Sequence, residues 1–322
     1  MSNEEPVSSP KTKGRDGFFV SSPQKGSTIN HRRPPRSKKQ IGLWHCGSYR
    51  LNYARRPLIM AVLNITPDSF SDGGQFFHPD QAVEQALRME AEGADLIDIG
   101  GESTRPGATP VSVEEEIRRV VPVVEQLAKQ IAIPISIDTT KSEVAQRAIE
   151  AGASIINDVS GFMHDPHMLS VAASGKTGLV IMHTRGTPET MQRRPRYHDL
   201  IGEICRFLNE RIDAAVAHRI SRNRIAVDPG IGFGKTANHN LKILHRLVDF
   251  ADLGVPLLVG PSRKSFIGRI LDLPPSERLE GTAAAAAIAV FQGARIIRVH
   301  DIKPLARVVR VAEAIRREKR NR

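Results

Sequence analysis

Polar side chains stand at or just after the ends of eight apolar runs in this sequence. The first run, Leu58 to Leu63, stops at Asn64, and ten residues of turn formers, hydroxyls and carboxylates follow it. Such a stretch is typical of a buried strand that opens into a binding loop. The polar residues at the run ends are Asn64, Asp98, Asp138, Asn157, Asp158, His183, Asp228, Ser262, Arg263, Lys264, Arg298 and His300.

These residue types indicate what kind of ligand they could bind. Asp138, Asp228 and the side-chain carbonyl of Asn157 would accept hydrogen bonds from a flat ring that presents several N–H groups. Two buried carboxylates would repel each other and rise in pKa unless a donor-rich ligand or a cation lies between them. Cations that would form an anion-binding arc are Arg105, Arg263, Lys264, Arg298 and His300. The set therefore predicts a donor-rich flat ring that carries or meets an anionic group.

The apolar runs alternate with stretches of helical periodicity, such as 79–92 and 302–317. The runs cover residues 58–63, 95–99, 134–137, 154–156, 178–182, 224–227, 256–259 and 295–299. Strands without polar alternation are buried on both faces, and a helix between each pair requires parallel order. We therefore predict an α/β fold, a single (β/α)8 TIM barrel, whose polar strand ends meet at one mouth. An open Rossmann-like sheet is the second possibility, but no G-x-G-x-x-G follows the first strand.

The residues before the first run predict two further segments. Residues 41–56 are expected to form a β-hairpin about Cys46-Gly47-Ser48 that plugs the barrel. Residues 1–40 contain nine Lys or Arg against three acids, so over half of the net charge of +11 lies there. This basic, Pro- and Ser-rich composition is typical of a disordered tail, and less often of a segment that touches nucleic acid or a membrane. The predicted domains are the tail, 1–40, and the barrel with its hairpin, 41–322.

Composition and spacing exclude several classes of protein. No stretch reaches the ~18 uninterrupted apolar residues of a membrane span. Two cysteines are too few for a disulfide framework, and Cys205 falls on an apolar helical stripe, which predicts a core thiol in a reducing, cytoplasmic compartment. Residues 230–235 lack the spacing of a P-loop, which disfavours a nucleotide site there.

The role of Asp98 stays open, since helix capping or packing explains this residue as well as ligand binding does.

Eight stretches, in order along residues 57–316, resemble one known family, dihydropteroate synthase. The two most specific are Leu63 to Gly74 and Gly100 to Gly107. The others are Ile137-Asp138-Thr139, Ile156 to Gly161, Met182-His183 with Thr190-Met191-Gln192, Asp228 to Lys235, Ser262 to Ser265 and Arg298-Val299-His300. Mild departures from the family pattern are Thr184 and Pro261, at positions taken to be variable, and the 40-residue tail is an extra segment whose role stays open.

The resemblance implies a transferase of folate biosynthesis. Its reaction would join 4-aminobenzoate to 7,8-dihydropterin-6-ylmethyl diphosphate, giving 7,8-dihydropteroate and diphosphate. It also implies Mg²⁺ as cofactor, bound with the diphosphate and contacted by Asn64. Catalytic positions that it implies are Asp72, Arg105, Lys264 and His300. Substrate-binding positions are Phe70, Thr104, Pro106, Asp138, Asn157, Asp228, Phe233, Ser262, Arg263, Lys264, Arg298, Val299 and His300.

The resemblance further implies a homodimer and sulfonamides as competitive inhibitors. Composition independently excludes a membrane partner and disfavours nucleic acid. Two other functions are weighed against it. A methyltetrahydrofolate-corrinoid methyltransferase has a similar barrel, but residues 104–107 and 298–300 would then have no anion to bind. A non-catalytic pterin- or RNA-binding protein is the second, and the intact Asp72 and Arg105 argue against it.

Overall fold

The computed structural model describes residues 42–66, 79–103, 108–187, 190–191 and 195–318. These residues belong to one compact unit, which spans Gln40–Arg322. The predicted tail, 1–40, lies outside the described residues. Within them, no helix has the length and apolar character needed to cross a membrane.

Strands and helices alternate along the described residues after an initial pair of strands. The strands are β1 (Leu43–Cys46), β2 (Tyr49–Asn52), β3 (Leu58–Asn64), β4 (Leu96–Gly100), β5 (Ile135–Asp138), β6 (Ile155–Asp158), β7 (Gly178–Met182), β8 (Ile225–Asp228), β9 (Leu258–Val259) and β10 (Ile296–Val299). The helices are α1 (Pro79–Ala91), α2 (Val113–Leu127), α3 (Ser142–Ala151), α4 (Met168–Ser174), α5 (Leu200–Ala217), α6 (Ala237–His245), α7 (Ser265–Leu271), α8 (Leu279–Phe291) and α9 (Ile302–Glu318).

The eight strands from β3 to β10 are parallel and form a nearly closed barrel. Strands β3 to β8 pair in chain order, from β3 with β4 to β7 with β8, and β10 pairs with both β9 and β3. Between β8 and β9 the ladder consists of a single parallel bridge from Val227 to Leu257. Residues 256–259 were predicted as a strand, but only Leu258–Val259 form one. Pro256, which lacks an N–H group, lies at the predicted start. The predicted (β/α)8 TIM barrel is confirmed.

Side chains alternate between the barrel interior and the surrounding helices. Along β4, Ile97 and Ile99 pack in the outer core, whereas Leu96 belongs to a separate cluster inside the barrel. Asp98 has the same parity as Leu96, and it is bonded across the barrel to Arg298 of β10. The interior is therefore apolar near the strand starts and polar near the strand ends. This arrangement places the polar residues at one end of the barrel.

The hairpin of β1 and β2 closes the other end, as the sequence predicted. Trp44 and Cys46 are fully buried, and the Trp44 indole donates a hydrogen bond to the carbonyl oxygen of Arg224 at 2.9 Å. Gly178 allows this close approach, because a Cβ atom there would lie 2.5 Å from the Cys46 sulfur. The interior residues in the same cluster are Leu58, Met60, Leu96, Ile155, Val180, Ala226, Leu258 and Ile296.

The helices agree with the predicted periodicity, with one difference. Residues 79–92 and 302–317 form α1 and α9 with ends displaced by one residue. The apolar stripe of α5 is buried at Ile201, Ile204 and Leu208. Cys205 was predicted as a core thiol, but it is only half-buried and packs at the edge of the core. It lies about 100° around the helix from Ile204, on the flank of the stripe.

Candidate active site

The strand register brings predicted site residues to one level of the barrel. Asn64 and Asp138 lie on either side of Gly100, because both residues pair with it. Asp138 in turn pairs with Asn157 on β6. Asp228 ends β8, where it pairs with Met182. Residues that are distant in the sequence therefore become neighbours at the mouth, as predicted for the ends of parallel strands.

The guanidinium of Arg298 lies between two carboxylates at the centre of the mouth. Its Nε is 2.6 Å from Asp98 Oδ2, and its second terminal nitrogen is 2.7 Å from Asp138 Oδ2. Asn157 donates to the same oxygen of Asp98 at 3.0 Å. The sequence predicted a cation or donor-rich ligand between Asp138 and Asp228, whereas Arg298 bonds to Asp138 and Asp98. Asp98, whose role was open, is wholly buried and belongs to this network rather than to a helix cap.

Asp138 presents an acceptor that has no partner among the described residues. Its Oδ1 is buried without a hydrogen bond, as is Oδ1 of Asp98. Burial and the charge of Asp98 together raise the pKa of Asp138 to about 7, against the opposing effect of Arg298. Buried polar atoms normally have hydrogen-bond partners, so an orphaned carboxylate oxygen inside a mouth indicates a place for a donor. Asn157, bonded through its nitrogen, has its amide oxygen left as an acceptor.

Asp228 and Lys264 form the second side of the mouth. Asp228 Oδ1 accepts a hydrogen bond from the backbone N–H of Gly230 at 2.7 Å, and burial raises its pKa. The Lys264 ammonium lies 4.2 Å from the centre of the Phe233 ring, a cation–π contact that fixes its direction. Burial lowers the pKa of Lys264 to about 8, and the nearby Arg298 adds to this effect. Lys264 is thus mostly charged at pH 7.

Ser262, Arg263 and His300 meet where β9 and β10 end. Ser262 Oγ is 2.9 Å from His300 Nδ1. Burial and the charges of Arg298 and Arg263 lower the pKa of His300 to about 4, so the imidazole is neutral at pH 7. Arg263 forms a two-point ion pair with Asp301, with nitrogen–oxygen distances of 2.6 and 3.1 Å. In the predicted anion-binding arc, both Arg263 and Arg298 therefore already face carboxylates, and His300 carries no charge.

Two other predicted residues, Val299 and Asn64, lie among the described residues, and five predicted residues lie outside them. Val299 was predicted to bind substrate, but its side chain is fully buried in the outer core, so only its backbone faces the mouth. The reason is the strand alternation, which turns Val299 away from the side on which Arg298 lies. Asn64 is half-buried at the end of β3. The predicted positions outside the described residues are Phe70, Asp72, Thr104, Arg105 and Pro106.

Two lysines that sequence reasoning did not select organise the loops around the mouth. Lys235 is buried, and its ammonium lies 2.9 Å from the Phe233 carbonyl oxygen, 3.0 Å from His183 Nδ1 and 3.3 Å from the His183 carbonyl oxygen. Lys141 pairs with Glu102 and with the wholly buried Glu116. Lys235 thus joins the β7 end to the loop after β8. Lys141 holds Glu102, which precedes the undescribed residues 104–107.

The Gly-rich loop before Lys235 permits this contact. Gly230 has φ of +72°, and a Cβ atom there would lie 1.9 Å from the carbonyl oxygen of His183. Gly232, at φ +85°, approaches the Lys264 side chain in the same way. Only glycine fits such positions. The glycines of this loop indicate a closely packed partner beside it. The resemblance of the loop to a phosphate loop does not predict that partner.

Comparison with known proteins gives a family for the whole barrel. The model of the pterin binding enzyme family matches residues 60–300. A dihydropteroate synthase from Synechocystis is 48% identical over 270 residues, which cover 84% of this chain and 93% of the relative. The chain belongs to the dihydropteroate synthase family. It is accordingly a transferase of folate biosynthesis with a pterin-binding barrel, as the sequence motifs predicted.

Solved structures of this family share the architecture. A Yersinia pestis dihydropteroate synthase in complex with a sulfonamide drug superposes with a TM-score of 0.81 at 46% identity, covering 85% of this chain and 99% of that one. A Xanthomonas albilineans dihydropteroate synthase with 4-aminobenzoic acid gives a TM-score of 0.80 at 44% identity, covering 86% and 98%. The barrel and its mouth are therefore those of a dihydropteroate synthase.

Proposed function

We propose that this protein joins 4-aminobenzoate to 7,8-dihydropterin-6-ylmethyl diphosphate. The observation that carries the proposal is the buried Asp138 oxygen, which has no partner among the described residues, in a mouth that also holds Asn157, Asp228 and Lys264. Formation of 7,8-dihydropteroate from the two substrates is the direct test. Purified full-length protein that gives no product, with or without Mg²⁺, would overturn the proposal.

The acceptors of the mouth suit the ring of the pterin. A pterin carries an amino group and ring N–H groups along one edge, and carboxylates and an amide oxygen accept such donors. Burial raises the pKa values of Asp138 and Asp228, and N–H donors of a bound ring would stabilise the charged carboxylates and oppose that rise. Lys264 supplies a donor for an acceptor atom of the ring. The hydrogen bond that Asn157 donates to Asp98 orients its side chain, whose amide oxygen would accept from the ring.

Asparagine at either acidic position is expected to weaken pterin binding by more than ~1 kcal/mol. Asp138→Asn and Asp228→Asn each replace a charged acceptor by an amide of which only one end accepts. Calorimetric titration with a pterin measures the loss. Asp158→Asn is the matched control, because Asp158 is also buried at the end of β6 but, as the neighbour of Asn157 in the strand, has its side chain on the opposite face. Unchanged affinity in both site variants would remove these residues from the pterin pocket.

The reaction breaks one bond and forms another at the same carbon. The C–O bond between the exocyclic methylene and diphosphate breaks, and its electron pair leaves with the diphosphate. The neutral arylamine nitrogen bonds to the methylene carbon and then loses a proton. Lys264 keeps positive charge close to the ring, and Arg298, held by Asp98 and Asp138, adds to the field at the mouth. His300 is neutral, so it acts as a hydrogen-bonding group rather than a cation.

We propose that Mg²⁺ binds with the diphosphate at Asn64. The Asn64 side chain is half-buried at the mouth and forms no hydrogen bond with the other described residues. These residues contain no cluster of three or more His, Cys, Asp or Glu that could hold a metal. One neutral oxygen donor suits Mg²⁺, which commonly binds through few protein ligands together with phosphates and water. Bound there, Mg²⁺ would neutralise charge that develops on the leaving diphosphate.

Asn64→Leu tests this metal site without an activity measurement. In the parent protein, we expect Mg²⁺ to strengthen diphosphate binding at least tenfold, and in the variant this gain should largely disappear. Calorimetric titrations with diphosphate, each with and without Mg²⁺, give the four affinities. An equal gain from Mg²⁺ in the two proteins would place the metal away from Asn64.

We also propose that the protein is a homodimer. Helices α8 and α9 pack side by side and expose large apolar side chains to solvent, including Ile288, Val311 and Ile315, which are 51%, 61% and 56% exposed. Apolar side chains grouped on neighbouring helices are typical of an interface between subunits. Ile315→Lys should shift the sedimentation coefficient towards that of a monomer. Val248→Lys, at 57% exposure elsewhere on the surface, is the control. Identical sedimentation of both variants and the parent would exclude this face.

The remaining parts of the proposal concern inhibition and location. Sulfonamides should compete with 4-aminobenzoate, because both present an arylamine and the similar Yersinia pestis protein was solved with a sulfonamide drug. We place the protein in the cytoplasm. Its two cysteines, Cys46 and Cys205, are both free thiols, which a reducing compartment preserves.

A further inference from the structure

A groove lined by basic side chains lies outside the barrel, between α1 and α9. Its volume is about 700 Å³. Residues of three segments form it: the start of β3, the end of α1 with the following turn, and one face of α9. We call it the basic groove, and its lining residues are Arg56, Pro57, Ile59, Arg88, Ala91, Glu92, Gly93, Lys303, Ala306, Arg307, Val309 and Arg310. Arg56 and Pro57 precede β3, so the groove lies towards the end of the barrel opposite the catalytic mouth.

Five cations and one acid line this groove. Arg56 is paired with Asp95, at 2.7 Å. Within the described parts of the chain, the other four cations, Arg88, Lys303, Arg307 and Arg310, form no ion pair and no side-chain hydrogen bond. The single acid of the lining, Glu92, is likewise unpaired. The groove therefore keeps a large excess of positive charge that the described residues do not neutralise.

The charge pattern of α9 indicates that this excess is local. Lys303, Arg307 and Arg310 follow one another at spacings of four and three residues, so they lie on one face of the helix. Like charges at such spacing destabilise a helix, and this face gains nothing from them in the free protein. Further along the same helix, Arg316 and Arg317 both pair with Glu313, which also pairs with Arg295. The unpaired cations are thus confined to the part of α9 that faces the groove.

The floor of the groove is apolar and small. Pro57, Ile59, Ala306 and Val309 line it beneath the cations. Small-molecule sites are concave, of about 300–1,000 Å³, and combine apolar walls with a few polar groups. Guanidinium groups bind phosphate oxygens with two parallel hydrogen bonds, and several of them together suit a chain of phosphates. A flat or apolar body joined to a polyphosphate fits both parts of the groove.

We propose that the basic groove is a binding site for a polyphosphorylated small molecule of nucleotide size, separate from the catalytic mouth. The apolar floor takes the flat body of the ligand, and the cations of α1 and α9 take its phosphates. A concave shape of this volume favours a small molecule over a membrane or a nucleic-acid strand, which would need charge spread across an open face.

Titration calorimetry with ATP in the absence of Mg²⁺ tests the site on the full-length protein. The groove variant carries Arg307→Glu and Arg310→Glu together, and the control carries Lys242→Glu and Arg269→Glu, so both have the same net charge. Lys242 and Arg269 are exposed on other helices and line no part of the groove. We expect the groove variant to bind ATP at least tenfold more weakly than the parent, and the control to bind within about twofold of the parent. Equal affinity in the groove variant and the control would overturn the proposal.

Three further measurements test the floor, the ligand class and the separation of the two sites. Ala306→Phe fills the floor while keeping every cation, so it should weaken ATP more than inorganic tripolyphosphate; equal effects on both would overturn the assignment of the floor. Phospholipid vesicles or single-stranded RNA that bind through Arg307 and Arg310, with no binding of ATP, would overturn the small-molecule assignment. The groove variant should keep parental KM values for both substrates, and a changed KM would mean that the groove is not separate from the mouth.

Discussion

Replacing Arg298 with methionine is expected to lower the free energy of unfolding by about 3–5 kcal/mol. The substitution keeps most of the side-chain volume but leaves the carboxylates of Asp98 and Asp138 without their cation. Asp98 is wholly buried, so water cannot readily take the place of the guanidinium. One of its oxygens already has no partner among the described residues. Urea denaturation at pH 8, above the pKa of about 7 that Asp138 has in the parent protein, measures the loss.

Arg246→Met provides the matched control for this experiment. Arg246 bonds to Asp249 at 2.6 Å, but Arg246 is exposed and Asp249 is partly exposed, and such surface pairs contribute less than about 1 kcal/mol. Adding Asp98→Asn to Arg298→Met should restore part of the lost stability, because the double variant buries one charge fewer. Similar small losses for Arg298→Met and Arg246→Met would show that the buried carboxylates do not depend on the guanidinium.

The sequence predicted the barrel and the location of its mouth because both follow from local patterns. Apolar runs of four to seven residues separated by helical periodicity specify parallel strands, and only one end of such a barrel gathers the residues that end the strands. Most strands extend through the polar residue at which the apolar run stops, as β5 does to Asp138 and β8 to Asp228. Hydrogen bonding of the backbone, rather than hydrophobicity, determines where a strand ends.

The pairing inside the mouth could not be read from the sequence. Asp98 and Arg298 are 200 residues apart, and their contact depends on which interior positions face each other when the barrel closes. The sequence predicts that Arg298 binds the anionic group of a ligand, because arginine often has that role. In the structure its guanidinium instead pairs with two carboxylates of the protein. The side-chain parity of β4 was an available signal, because it places Asp98 on the same face as Leu96 inside the barrel.

Lys235 was missed for a different reason. Lysines are rarely buried, so one at the end of a Gly-rich loop was interpreted only as a possible phosphate ligand, and then set aside. The structure shows that three acceptors from Phe233 and His183 surround its nitrogen. Those acceptors lie on two different loops, and no sequence pattern records their convergence. The environment of Lys235 leads to a second large effect.

The stability that Lys235 contributes is expected to depend steeply on pH. Burial lowers its pKa from the ordinary 10.5 to about 7, against the attraction of Asp228, and Lys264 and Arg185 lower it further. Between these two values the unfolded chain binds a proton at this site that the folded protein does not, so the free energy of unfolding rises with pH. From pH 7 to pH 10 this gain should amount to about 3 kcal/mol.

Comparison with Lys235→Met isolates this contribution, because groups common to both proteins cancel. The free energy of unfolding of the parent minus that of the variant should increase by about 3 kcal/mol between pH 7 and pH 10, as measured by urea denaturation. The same difference for Lys242→Met should stay constant over that range, because Lys242 is exposed. A constant difference for Lys235→Met as well would mean that the buried amine keeps its proton. The carbonyl oxygens of His183 and Phe233 would then hold a full ammonium ion in place, and Asp228 would have to supply the balancing charge across the end of β8.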